Sequence, residues 1–229
     1  MNRADLALTW NVYRQGNLTL TQLIYATRYR RYTVDVHRFI ALLGMLDWHG
    51  PPARYDWTTE QCCLAIFTHV IHSSGNLDML SFISKHEDEA KGLILPSWCS
   101  LCTWYEEDDH PTPLLADLGA QEMSFQACKS DDHRNPSIIE AGTRLVVWGY
   151  IVDELRSRPR HREEVMQAVR SYGYERFIAC REPYITRDGY RGLVPVQSEA
   201  GDHLCIIVGG KTPYILRPAE GGYKLIGEW

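Results

Sequence analysis

The sequence predicts an α+β fold in which an N-terminal helical layer packs on a C-terminal β-structure. That β-structure is either a mostly antiparallel sheet or a small open barrel. Apolar residues recur at helical spacing in the first third of the chain. The last thirty residues instead contain short β-branched runs separated by Gly-Gly pairs, which is typical of strands joined by tight turns. Helices followed by a run of strands are the arrangement of an α+β domain.

Four helices are predicted before the strands, over about residues 4–14, 19–29, 34–46 and 58–74. The fourth has the clearest ends, because Thr58 or Thr59 can cap its first turn and Gly75 can adopt the left-handed backbone that stops a helix. A charged helix is predicted later, at 161–172, with inward-facing Val165, Met166 and Val169.

Strands are predicted in the C-terminal half, at about residues 123–128, 144–152, 177–180, 204–208, 214–216 and 223–228. The run Val146-Val147-Trp148 is almost continuously apolar, which predicts a strand buried on both faces. We expect one domain of 229 residues. Its parts are a helical part at about 1–83, an irregular segment at 84–119 and a β-rich part at 120–229.

Composition excludes several classes of protein. The net charge of −5 disfavours nucleic acid as an obligate partner. No apolar run approaches the roughly 20 residues that cross a bilayer, and polar residues interrupt the N-terminus where a signal peptide would be apolar. We therefore expect a cytoplasmic protein with no membrane partner and reduced cysteines. Nucleotide, flavin and hydrolase motifs are not found in the sequence, so no cofactor is expected.

Three clusters have chemical as well as structural interpretations. Cys99 and Cys102 have the spacing of a zinc or redox pair, but buried thiols explain them equally simply. His69 and His72 lie three residues apart on the fourth helix, as metal ligands or as a solvated face. The run from Trp104 to His110 combines aromatic rings, carboxylates and an imidazole. It is a solvated loop, an acid–base site with raised carboxyl pKa values, or a divalent-cation site.

A fourth group flanks the glycine-rich turn near residue 189. Its side chains are able to converge on a carbonyl or an anion. The alternative is that the turn is purely structural. The group comprises Arg181, Tyr184, Arg187, Tyr190 and Arg191.

Five short segments carry more specific information than composition does. They read Ala41-Leu42-Leu43-Gly44, Gly75-Asn76-Leu77-Asp78-Met79-Leu80-Ser81, Leu95-Pro96-Ser97-Trp98, Gly189-Tyr190-Arg191-Gly192-Leu193-Val194-Pro195, and a terminal block from Gly201-Asp202 through Leu216-Arg217-Pro218 to Gly227-Glu228. In this order they resemble the C-terminal region of fungal heterokaryon-incompatibility (HET) proteins, over roughly residues 20 to 229. We interpret the chain as that region standing alone, without the HET domain that precedes it in the family.

The sequence also departs from the family pattern. Val36-His37 stands where the family has Arg-Asp, and Cys99-Ser100-Leu101-Cys102 replaces its Val-Pro-Asp-Trp. The family continues beyond Gly-Glu, whereas this chain stops at Trp229. These differences leave two functions open.

The first is a cofactor-independent enzyme of fungal secondary metabolism, a cyclase or pericyclase of Diels-Alderase type. It would fold an apolar, carbonyl-bearing terpenoid or polyketide in an aromatic pocket without a metal, because ordering a flexible substrate lowers its barrier. The expected walls are Trp98, Trp104 and Trp148. The expected donors to the carbonyl are Tyr105, His110, Tyr190 and Arg191.

The alternative is a non-enzymatic interaction or regulatory module derived from HET proteins. It requires a protein partner and no small-molecule chemistry. A homo-oligomer is compatible with either function. An acyl-transfer enzyme is disfavoured because no nucleophile elbow is present.

Overall fold

The described part of the chain contains helices followed by antiparallel sheets. The computed structural model describes residues 35–43, 48, 54, 56–75, 77–83, 92–100, 127, 135–171 and 181–229. Its helices are α1 (Asp35–Leu43), α2 (Thr59–Ser74) and α3 (Arg162–Ser171), with 3-10 turns at Asp78–Phe82 and Glu140–Gly142. Its strands are β1 (Ser137–Ile139), β2 (Arg144–Val146), β3 (Gly149–Ser157), β4 (Arg181–Thr186), β5 (Arg191–Pro195), β6 (His203–Ile207), β7 (Tyr214–Ala219) and β8 (Gly222–Glu228).

The mixed class with mostly antiparallel strands is therefore confirmed. The complete N-terminal helical layer is not, because the structure describes only α1 and α2 of it. The helices predicted at 4–14 and 19–29 and the strand predicted at 177–180 lie outside the described residues. The strand predicted at 123–128 is described only at Ala127.

Helix α2 begins and ends where its sequence predicts. The Thr58 hydroxyl accepts the Gln61 N–H at 3.3 Å, and the Gln61 side chain accepts the Thr58 N–H at 2.9 Å, which completes a capping box. Gly75 has φ +64° and donates its N–H to the Ile71 carbonyl at 2.9 Å. The helix buries Phe67 and Ile71.

The main sheet has six antiparallel strands in the order β5-β4-β3-β6-β7-β8, and β1 pairs with β2 in a separate hairpin. Strand β3 joins the two halves of the sheet, because it pairs with β6 along its length and with β4 near its C-terminal end. Its pairing shifts register between Ile151 and Asp153 and again between Leu155 and Ser157. Bulges bend and twist a strand, so the sheet curls into a half-barrel.

Two clusters of buried apolar residues hold this architecture. One fills the half-barrel and contains Leu155, Tyr184, Val194, Leu204 and Ile215. The other joins α2 and the 3-10 turn after it to the back of the sheet, and contains Phe67, Leu77, Trp98, Ile207, Tyr214 and Leu225. The helical segment and the sheet therefore share one core, which explains why neither layer exposes its apolar side to water there.

The two edges of the half-barrel approach each other without a hydrogen-bonded ladder. A Cβ on Gly192 of β5 would overlap the indole ring of Trp229, and a Cβ on Gly227 of β8 would lie 2.7 Å from the Pro195 ring. Both contacts require a glycine because each places a ring where a side chain would begin. The Trp229 N–H also donates to the Pro213 carbonyl at 2.9 Å, which fixes the end of β8.

A buried ion pair spans the same closure. Arg181 of β4 donates to the Glu228 carboxylate of β8, and both side chains are almost fully buried. Charges buried this deeply depend on each other, since each loses its hydration and the attraction between the two charges offsets that loss. The Gly-Glu at the end of the HET-like block therefore has a structural role.

Two expectations about burial are wrong. Val165 of α3 is exposed, although its neighbour Met166 is buried as predicted. The run Val146-Val147-Trp148 is not a strand buried on both faces, because β2 ends at Val146, β3 begins at Gly149, and Val146 and Trp148 are both exposed. An apolar run is buried only where the rest of the chain covers it.

Replacing Glu228 tests the buried pair. Glu228→Gln leaves the Arg181 guanidinium buried without a counter-charge, so we expect a loss of about 3 kcal/mol in the free energy of unfolding, measured by urea titration. Glu220→Gln, in the exposed turn between β7 and β8, is the matched control and should change stability by less than about 0.5 kcal/mol. The double variant Arg181→Met/Glu228→Leu should recover most of the loss. Equal stability of Glu228→Gln and wild type would contradict this account.

Replacing Gly192 tests the approach of the two barrel edges. Gly192→Ala forces a methyl group into the Trp229 ring, so we expect destabilisation of about 1–3 kcal/mol in the same titration. Gly222→Ala is the control, because its Cβ would lie 3.5 Å from a flexible Arg144 nitrogen. It should be neutral or slightly stabilising. A neutral Gly192→Ala would show that the edges do not meet.

Candidate interaction surface

The HET-like segment at 75–81 docks on the turn between β6 and β7. The Leu77 N–H donates to the Gly209 carbonyl at 3.1 Å, and the Tyr214 hydroxyl donates to the Leu77 carbonyl at 3.3 Å. The Ser81 and Thr212 hydroxyls lie 3.1 Å apart in the same buried site. Two segments that are separated by about 130 residues in sequence thus form one hydrogen-bonded joint.

The same joint contains a close backbone approach and an ion pair. Gly209 has φ +91°, and a Cβ there would lie 2.9 Å from the Gly75 carbonyl oxygen. Lys211 approaches Asp78 at 3.0 Å. Burial raises the pKa of Tyr214 far above its ordinary value, so its hydroxyl stays protonated and available as a donor. The Gly-Gly and Thr-Pro-Tyr elements of the terminal block therefore serve this docking.

The Gly-Asp and Leu-Arg-Pro elements form a second internal contact. Arg217 of β7 makes a bidentate pair with buried Asp202, at 2.8 and 3.0 Å. It also donates to the Gln197 carbonyl at 2.7 Å, while Asp202 accepts the Glu199 N–H at 2.8 Å. The pair holds the loop between β5 and β6 against β7.

Asp153 holds the turn between β4 and β5. Its carboxylate accepts the N–H groups of Glu154 at 2.8 Å and Asp188 at 3.0 Å. Burial by itself would raise the pKa of Asp153, but the hydrogen bonds from Thr186, Asp188 and Glu154 outweigh it and hold that pKa below its ordinary value. Gly189 completes the turn with φ +96°.

The Leu-Pro-Ser-Trp element packs against the sheet. The Leu225 N–H donates to the Ser97 hydroxyl at 3.1 Å, and the Trp98 indole donates to the Thr143 carbonyl at 3.3 Å. The Trp98 and Phe67 ring centroids lie 6.5 Å apart in a tilted contact. This HET-like element, like those above, uses its polar and aromatic groups inside the fold.

The predicted catalytic and substrate-binding residues that the structure describes lie in different parts of the fold. Trp98 is buried between α2 and the sheet, Trp148 is 53% exposed just before β3, and Tyr190 and Arg191 lie exposed where β5 begins. Trp104, Tyr105 and His110 lie outside the described residues. The acid–base and cation interpretations of the run at 104–110 therefore stay predictions.

The candidate metal and redox residues are described in part. The His69 ring contacts Trp48 with centroids 4.4 Å apart, and His72 is exposed. Cys99 is buried and is not in a disulfide, whereas Cys102 lies outside the described residues. Burial also raises the pKa of the Cys205 thiol to about 11, which keeps it protonated and unreactive at neutral pH.

Among the residues that the structure describes, no group of three or more His, Cys, Asp or Glu side chains is placed to hold a metal ion. None of the helices in these ranges combines the length and the apolar character needed to span a bilayer.

Strand β3 carries an exposed apolar surface that the sequence did not indicate. Tyr150 is 64% exposed, Ile151 55% and Val152 40%. Adjacent side chains of a strand point to opposite faces, so both faces of β3 are apolar and open here. We call residues 148–152 the β3 strip. The apolar run was interpreted as buried, and only the solvent exposure of its side chains reveals the surface.

Within the part of the chain that the structure describes, residues 149–152 also have one edge without a neighbouring strand. Strand β4 pairs with β3 at Leu155 and Ser157, and the turn after β4 contacts Asp153 and Glu154. Within the described ranges, no strand pairs with residues 149–152 on that side. Exposed apolar strands with unpaired edges are sites where another strand can add.

Comparisons with known proteins relate the C-terminal region to one family. Residues 154–229 match the family described as Het-6 beta-barrel domain. A stretch of 70 residues is 36% identical to heterokaryon incompatibility protein 6, OR allele, from Neurospora crassa, and covers 28% of this chain and 10% of that protein. The chain thus matches only a tenth of the curated relative's length. No solved structure gives a significant match. The C-terminal region is therefore HET-related, which confirms the resemblance for the motifs that lie within residues 154–229.

A pH titration tests the role of Asp153. Because its folded-state pKa is lowered, the ionised carboxylate contributes stability above the ordinary aspartate pKa of about 4, and this contribution is lost as the pH falls through the folded-state value. Asp153→Asn should therefore be less stable than wild type at pH 7, with a difference that shrinks towards zero near pH 2. Unfolding free energies at several pH values measure it. Exposed Asp188→Asn is the control, and a pH-independent difference for Asp153→Asn would contradict the assignment.

Proposed function

We propose that this chain, whose C-terminal region is HET-related, is a non-enzymatic interaction module that presents the β3 strip to a protein partner. In this proposal the half-barrel holds the β3 strip in place, and the partner binds at the edge of residues 149–152. The single observation that carries the proposal is the exposure of Tyr150, Ile151 and Val152 on a strand whose outer edge pairs with none of the described strands. The similarity of a 70-residue stretch to a heterokaryon incompatibility protein supports it.

The polar residues of the HET-like motifs support the same proposal. Arg217 pairs with Asp202, and Arg181 pairs with Glu228. The Thr212 and Tyr214 hydroxyls both lie within hydrogen-bond distance of the Ser81 hydroxyl. Because these side chains make hydrogen bonds and ion pairs inside the fold, they stabilise the half-barrel and its contact with the 75–81 segment. They are therefore poorly placed to act on a substrate, whereas a scaffold needs these contacts.

The cyclase or pericyclase function stays a prediction. It depends on Trp104, Tyr105 and His110, which lie outside the described residues. It also requires an aromatic pocket that encloses an apolar substrate. None of the described contacts favours that chemistry over the interaction module, so the module is preferred.

We also propose that the chain is a single domain. Helix α2 and strands β6 to β8 contribute to the same buried cluster, through residues such as Phe67, Ile207 and Leu225. Splitting the chain between them would expose apolar side chains of both parts, which a separable pair of domains would avoid.

Proximity labelling in a fungal host tests the module. Wild type and Tyr190→Lys should label the same set of neighbouring proteins, and Tyr150→Lys should lose members of that set by about tenfold, because a charge in the β3 strip opposes apolar contact. Tyr190 is the matched control, since it is also a tyrosine and is 56% exposed.

Two outcomes would contradict the module. Identical neighbours for all three proteins would show that the β3 strip makes no contact in the cell. Labelling no greater than that of an unrelated soluble protein would show that the chain has no partner. Circular dichroism and thermal unfolding of each variant confirm that the substitutions leave the fold intact.

A further inference from the structure

We draw no further inference here: the strongest candidate, the exposed apolar surface of residues 149–152 at the start of β3 in the half-barrel, belongs to the interaction surface already proposed, and nothing in the structure shows what covers it.

Discussion

The fold depends on how the curled sheet brings its two edges together. The buried pair of Arg181 and Glu228 joins β4 to β8, and two glycines let the rings of Trp229 and Pro195 approach the opposite edge. A charge pair in the interior tolerates little misalignment, because each ion has lost its water. The position of β8 is therefore fixed relative to β4 and β5. The Leu225 amide, which holds Ser97, takes its position from β8.

The same closure explains the HET-like motifs. Each motif makes a contact within the fold. The segment 75–81 binds the turn after β6, and Ser97 and Trp98 bind the sheet. Asp202 pairs with Arg217, and Glu228 pairs with Arg181. The segments that resemble the family thus make contacts that hold this chain's own fold together. The surface proposed for interaction is different, since the β3 strip lies before residue 154, where the family match begins.

The β3 strip is open because of the curl. Strand β3 belongs to both halves of the sheet, and its bulges turn β4 away from its first residues. Residues 149–152 therefore have an edge that no described strand covers, and exposed apolar side chains on both faces. A barrel that gains rigidity by curling can therefore also gain a surface on which another strand can add.

The sequence alone determined the structural features that depend on interactions between residues close together in the chain. The capping box of Thr58 and Gln61, the left-handed stop at Gly75 and the terminal strands follow from interactions within a few residues, and the HET resemblance follows from short motifs. Only the tertiary structure decided that Arg181 meets Glu228, 47 residues away. It alone showed that the apolar start of β3 is exposed. An apolar run has the same composition whether covered or open, and its burial depends on where distant segments pack.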